Sequence, residues 1–570
     1  METLIAYTFA HDSAERATAG RARVEAYYGD LWQHEAKHRG YDGNTAGLHI
    51  WDRDDGTCRW PSWHDAADLC VASVHAPHGY QRVIGDIAPY DAPARLAHAV
   101  RRTPANFLEL APPFTMAVLD PGEERLELFT DSIGVGRLFQ LRLPDGWVWT
   151  NRPVAALLFA GVPAVAASRG WSFAAGCGWF MDDSTPYDGV HAVPGATHIV
   201  AEGPRQRRTV SRIEPTTEWS TDVEETAAAL QDVARSVGSL WSERPAVDLG
   251  GGRDSRVVAA AFLAAGVDLK LASYDAAPGE QVRPQPLELV DRALSWHRYA
   301  EGLRPAGDLF NTPPATLAGQ PHLEITSAGG EIAHGHLYPR DVLELDALPL
   351  PDKLSAFGNH LQTRLMPAAG PADSARTAVT EQIEGVLRTA VHGGIENATM
   401  LDYFYVVERL RRGGTTGERR GVVSPLLIPA FVRTALALDP AQRIENALSR
   451  ELVRRLVPEW ADSTPSPQAS TRRSPAKIRC LADAADRDLI EQLLADVDGF
   501  DSQALSTLWA ASVAGASSAT GESTLRQALW RATFDQHLAE VNRHVPARSP
   551  LARAIAGTKR AYRNGRFGRQ

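Results

Sequence analysis

The chain has 570 residues, 44% of them apolar and 22% charged, and a formal net charge of −10. That length exceeds what one hydrophobic core serves, so two or three domains are expected; the acidic balance argues against general nucleic-acid affinity, and no run of about 18 apolar residues is present to cross a membrane. Cys58, Cys70, Cys177 and Cys480 form no CxxC pair, and the opening METLIAYTFAHDSAER lacks the basic region and apolar core of a secretory signal, so a reducing cytoplasm is expected.

In chain order, residues 1–210 carry short apolar stretches broken by Gly, Pro and Asp. The stretches at 48–51, 114–119, 126–129 and 146–149 are predicted strands in hairpin spacing. Within this region Gln33-His34-Glu35-Ala36-Lys37-His38 contains H-E-x-x-H. On a helix His34 and His38 would share a face, with Glu35 as a base, as in zinc peptidases. No third ligand follows, and the sequence beyond it turns strand-like, so the match reads as coincidence on a solvated helix. The polar segment 205–219, with Pro215, reads as a linker.

Beyond it, 223–240 has helical periodicity, 245–249 is a buried strand, 256–265 a helix and 269–274 the next strand. Strand, helix and strand with short connections imply a parallel sheet, with ligands outside the carboxyl ends of its strands. Residues 370–456 are mainly helical, including 399–412 and 428–438, and 462–476 is a Ser/Pro-rich surface loop. The basic tail from 559 to 570 reads as solvated, with docking of an acidic partner as the alternative.

The segment Leu249-Gly250-Gly251-Gly252-Arg253-Asp254-Ser255-Arg256 joins the predicted strand to the predicted helix. Successive glycines let the backbone approach a ligand without Cβ interference. A helix starting near Ser255 aims free N–H groups and its positive dipole end at an anion. Asp254 adds a carboxylate where a phosphate-bound Mg²⁺ could sit. The same glycines also suit a strand–helix turn of any α/β domain. No Lys follows them, so this is not a Walker loop.

The loop resembles the S-G-G-x-D-S pyrophosphate loop of N-type ATP pyrophosphatases, the synthetase half of asparagine synthetases and their relatives. Gly250 stands in place of the first Ser, and Gly251, Gly252, Asp254 and Ser255 match. In the first half, 129–139 resembles the family's R-D-x-x-G-x-x-P-L-Y hairpin, 150–158 its S-E-x-K-A-L-L and Val193-Pro194-Gly195 its P-P-G turn. The resemblance implies an α/β fold in two domains. Residues 1–210 would form a degenerate N-terminal nucleophile-type, β-rich αββα domain. Residues 220–570 would form a parallel-sheet ATP pyrophosphatase domain with a helical C-terminal part. A glutaminase of this type uses cysteine as its processed N-terminal residue. Here the first residues are Met1-Glu2-Thr3 and the first cysteine is Cys58, so the nitrogen is expected from an amine already in the acceptor.

The same resemblance implies further roles. ATP would be held from Leu249 through Ser255, with Ser273 and Tyr274 at the adenine. Residues 324–336 resemble G-x-G-A-D-E-L-F-G-G, which brings Gly329 to the nucleotide and Glu331 to the second acidic position, while Gly330 replaces the first acid. Either Glu331 joins Asp254 as a Mg²⁺ ligand or metal binding is weakened. His334 and His336 read as polar lining. Glu418 is the counterpart of a catalytic Glu, and Lys477, in Arg473-Ser474-Pro475-Ala476-Lys477, of the lysine in R-x-K; a solvated loop lysine is the alternative. Relatives lacking the glutaminase cysteine include lasso peptide macrolactam cyclases and β-lactam synthetases. The implied activity is therefore AMP-forming amide ligation on a precursor peptide, with a leader-binding protein and a leader peptidase as partners, or on a small amine and carboxylate substrate. A noncatalytic nucleotide-binding scaffold is the alternative of another class; neither nucleic acid nor membrane is expected as a partner.

Overall fold

The computed structural model describes residues 2–11, 13–32, 36–52, 56–210, 222–248, 252–272, 289–304, 323–413, 421–461 and 484–546. Leu249, Gly250, Gly251, Ser273, Tyr274, Glu418 and Lys477 lie outside the described residues, as do His34, Glu35, Cys480, the 462–476 segment and the basic tail.

The first 210 residues supply β1 (Thr3–Phe9), β2 (Lys37–Asp42), β3 (Ala46–Asp52), β4 (Trp63–Asp65), β5 (Cys70–Val74), β6 (Thr115–Asp120), β7 (Arg125–Thr130), β8 (Phe139–Leu143), β9 (Gly146–Thr150), β10 (Val190–Ala192), β11 (Thr197–Glu202) and β12 (Arg205–Val210). They form two six-stranded antiparallel sheets, ordered β10-β8-β9-β1-β3-β2 and β12-β11-β7-β6-β5-β4. The predicted strands fall in β3, β6, β7 and β9.

β1 is buried along its whole length, as befits a strand covered on both faces. Its Leu4 and Ala6 join Leu48, Ile50, Ala72, Leu119, Leu128 and Ile199 in a core between the sheets. The alternate residues Ile5, Tyr7 and Phe9 pack outward against Val24, Leu158 and Phe159 of the helices Ala14–Tyr28 and Pro153–Ala160. On the other side Val71, Met116 and Val118 meet Leu96 and Val100 of the helix Ala92–Arg102. The result is the αββα layering expected of an N-terminal nucleophile-type domain.

Two local expectations are corrected. Residues 205–210 are not linker: they form β12, paired with β11 from Thr197↔Val210 to Glu202↔Arg205. Their polarity is that of an edge strand with no exposed apolar row. His38 lies on a strand rather than a helix, opposite Trp51 of β3, with its Nε2 3.2 Å from His49 Nδ1; the alternating KHRGYD segment suits an edge strand.

The second half is built on β13 (Ala246–Asp248), β14 (Lys270–Ala272), β15 (Glu324–Ile325) and β16 (Val422–Val423), all parallel, in the order β14-β13-β15-β16. The helices Val223–Leu240 and Arg253–Ala264 pack on one another beside this sheet. The second of these starts at Arg253, ahead of the predicted 256, so that Asp254 falls in its first turn. The helical C-terminal part includes Asp373–His392 and the run from Thr399 to Gly413, whose middle, Tyr405–Leu410, is π-helical.

The last described helix returns to the first domain. The helix Ala519–Arg543 packs on the helices Leu289–Ala300 and Ser168–Cys177, with Trp171 and Trp530 edge to face at 4.7 Å. Glu301 ties the halves together: it accepts from Tyr28 Oη at 2.6 Å and from Val154 N–H at 3.0 Å, and it pairs with Arg152. No described helix is long and apolar enough to cross a membrane.

Candidate nucleotide site

The chain leaves β13 to form β14 on one side of it and returns to form β15 on the other. The strand order therefore reverses between β13 and β15. In open parallel sheets the crevice outside the carboxyl ends at such a reversal is where ligands bind. The segment after β13 leads to Gly252, the N-cap of the helix Arg253–Ala264, and the segment after β15 runs through Thr326 to Glu331. Hydroxyl groups gather there, with Thr326 Oγ1 2.6 Å from Ser424 Oγ at the end of β16.

Asp254 stands at the centre of this crevice. Its Oδ2 is 3.3 Å from His334 Nε2. Its Oδ1 is buried and has no hydrogen-bond partner among the described residues. A buried carboxylate oxygen without a partner costs on the order of 1–3 kcal/mol, more for a charge, and a cation recovers that loss. Burial alone would lower the His334 pKa, but the hydrogen bond and charge of Asp254, with the charge of Glu331, more than offset it and hold the pKa above the usual value. The crevice is thus a place of negative potential.

Gly330 explains how Asp254 fits. A Cβ at residue 330 would lie 2.3 Å from Asp254 Cγ and 2.7 Å from its Oδ2. The missing acid at 330 is the space that the Asp254 carboxylate fills. Gly329, at φ 96°, makes the turn before it, and a Cβ there would meet Leu427 Cδ2 at 2.5 Å; its N–H donates to Glu331 Oε2 at 2.9 Å. Glu331 also bonds Tyr405, whose hydroxyl is held above its usual pKa by burial first and then by the Glu331 charge. Ser255 turns its hydroxyl back to the Gly252 carbonyl at 3.0 Å and so caps the turn.

Behind these groups is a buried polar support. Arg443 donates to Asp402 Oδ2 and to Tyr338 Oη, both at 2.6 Å, and to the carbonyls of Ala435, Leu436 and Leu438. Burial pushes Asp402 up to about 6, with the Arg443 charge acting against it. Every Arg443 nitrogen is engaged, so the trio holds the helices Pro429–Ala437 and Thr399–Phe404 in place.

Of the residues singled out in the sequence, the fold brings Gly252, Asp254, Gly329 and Glu331 to one crevice and places Ser255 in its wall. Leu249, Gly250, Gly251, Ser273, Tyr274, Glu418 and Lys477 lie outside the described residues. Sequence reasoning gave His334 no bond to Asp254 and missed Tyr405, Thr326 and Ser424. No sequence signal set Tyr405 apart: it stands in the run YFYVVERLRR among other aromatic and charged residues. Among the described residues no three His, Cys, Asp or Glu side chains cluster as a metal site. Asp254 and Glu331 suit Mg²⁺, which is commonly held by one or two carboxylates completed by phosphate oxygens and water.

No protein-family profile matches the sequence, and no curated protein matches it. Among solved structures, the allosteric regulatory enzyme of purine biosynthesis is similar over 50% of this chain and 68% of that one, at 12% identity and a TM-score of 0.25. Glutamine phosphoribosylpyrophosphate amidotransferase from B. subtilis, complexed with ADP and GMP, is similar over 58% of this chain and 77% of that one, at 9% identity and a TM-score of 0.24. Superpositions this loose carry no argument; the fold rests on the strand order and register given above.

Proposed function

We propose that this chain is an ATP-dependent, AMP-forming amide ligase whose nucleotide site is the crevice between β13 and β15. The observation that carries the reading is the Asp254 carboxylate, set in the first turn of the helix at the sheet's reversal with one buried oxygen unpaired. Bound there, Mg²⁺ would neutralise phosphate charge, held by Asp254 with Glu331. The N-terminus of the helix Arg253–Ala264 offers free N–H groups to the pyrophosphate. A carboxylate oxygen of the acceptor attacks the α-phosphorus and pyrophosphate leaves. An amine nitrogen then attacks the acyl carbon, and AMP and a proton leave. Lys477 and Glu418 are proposed, on the family resemblance, as the cation and acid of the second step; a preorganised cation acts on charge that appears only in the transition state.

The amine is proposed to belong to the acceptor itself, giving a macrolactam on a precursor peptide as in lasso cyclases, or a β-lactam on a small substrate. Support comes from the thiols: Cys58, Cys70 and Cys177 are all buried. Burial pushes Cys70 and Cys177 up to about 12, so neither is the thiolate that a glutaminase nucleophile requires. Incubation of the protein with Mg-ATP and a panel of peptides and small amino acids bearing both groups should release pyrophosphate and AMP in equal amounts. Release of ADP and orthophosphate would rule the adenylation chemistry out.

A further inference from the structure

On the far side of the π segment Tyr405–Leu410 from Asp254 lies a separate cleft of about 540 Å³ between the two halves of the molecule. Tyr405 turns toward Glu331 and His336, whereas Tyr403, Val406, Val407 and Glu408 face the cleft. This segment is therefore a shared wall. The opposite wall comes from the first domain: Ser132 and Ile133, Pro194 and Gly195, and Arg208 and Val210 of β12. A cavity of this size at a domain boundary is where small ligands usually bind.

The lining carries both signs of charge. Arg169, Arg208 and Arg411 share it with Asp182, Asp183 and Glu408. Arg411 meets Asp183 at 3.0 Å and Arg169 meets Asp182 at 3.0 Å. Glu408 is buried and takes the Asp182 N–H at 2.9 Å and Gln382 Nε2 at 2.7 Å, which leaves lone pairs of its carboxylate unused. Ser132 is only 5% exposed, and its hydroxyl has no hydrogen-bond partner among the described residues. Between the charges lies an aliphatic surface, including Ile133, Val386, Val406 and Val210. A simple anion would meet three carboxylates here and a simple cation three guanidinium groups, so neither is favoured over the other. A molecule with both charges around an apolar body satisfies every part of the lining.

We propose that this cleft is a second ligand site, for a small zwitterion with an aliphatic body, of the kind presented by an amino acid or short peptide with free amine and carboxylate. Its occupancy does not depend on the ligase reading, because the wall separates it from Asp254.

The test is titration calorimetry of the full chain with the dipeptide valyl-valine, in the absence of nucleotide. The wild type binds it with a Kd of about 1 mM or tighter, and N-acetyl-valyl-valine amide, stripped of both charges, does not bind. Thr389→Trp, which sets an indole in the cleft from an exposed helix position, abolishes binding. Ser132→Ala, which removes only the unpaired hydroxyl, weakens it and serves if the tryptophan variant fails to fold. Asp254→Asn leaves it unchanged, so a failed ligase reading and a failed cleft assignment are separable. No saturable binding by the wild type, equal binding of the blocked peptide, or binding untouched by the cleft variants overturns the proposal.

Discussion

Two aspartates follow a strand, Asp131 directly after β7 and Asp254 in the first turn of the helix beyond β13, and their carboxylates are used in opposite ways. Asp131, after β7, is fully buried and saturated: Oδ1 takes N–H bonds from Ile133, Gly134 and Val135, and Oδ2 from Phe114 and Gly136. Asp254, beyond β13, has one oxygen shared with a histidine and the other buried and unpaired. The first carboxylate has its whole hydrogen-bonding capacity committed to shaping a loop. The second keeps capacity in reserve, and such a group calls for a specific explanation.

The contrast can be broken at either aspartate. The largest effect is expected at Gly330. Gly330→Asp restores the acid of the resembled pattern, yet its Cβ would fall 2.3 Å from Asp254 Cγ. Pyrophosphate release should therefore drop by at least about 10²-fold rather than improve, measured by a coupled pyrophosphate assay on protein of unchanged circular dichroism. Next comes Asp131→Asn, which sets an amide group against an array of N–H donors. It should destabilise the first domain by about 2–4 kcal/mol, read as a shift of its urea midpoint, without a direct effect on nucleotide binding.

The smallest effect concerns groups that fold neutral. Burial lowers His297 to about 3, with Arg531 adding to the shift and a backbone bond opposing it; its Nε2 is 3.0 Å from Thr533 Oγ1. The unfolded histidine takes up a proton near pH 6.5 and the folded one does not, so this contribution is present above that pH and is lost as pH falls below it. Between pH 6.5 and 5.5, His297→Gln should lose about 1 kcal/mol less stability than the wild type, measured by chemical unfolding at the two pH values.

Much of the scaffold was legible in the sequence because its physics is local. The apolar stretches of β3, β6, β7 and β9 alternate between two covered faces, and the glycines around 250 separate a strand from a helix. β12 was misread because an edge strand of Arg, Gln and Thr has the composition of a linker; only its pairing with β11 distinguishes it. The π segment was read as ordinary helix, since side-chain periodicity over Tyr405–Leu410 does not report how its backbone is bonded. The different uses of Asp131 and Asp254 could not be read at all. Both follow a strand and both neighbour glycines, and the number of N–H groups around each is a three-dimensional fact. The acid missing at 330 left open whether Glu331 takes its place or metal binding is weakened; the close approach of Asp254 gives its absence a steric reason.

The central claim is that the unpaired Asp254 oxygen awaits a phosphate-bound cation. Its most direct test is titration of ATP into the wild type and into Asp254→Asn, each with Mg²⁺ and with EDTA. The wild type should bind ATP more tightly with Mg²⁺, and Asp254→Asn, equally well folded by thermal unfolding, should lose that difference. Asp254→Asn binding Mg-ATP as tightly as the wild type would contradict the account and leave Asp254 as a turn residue.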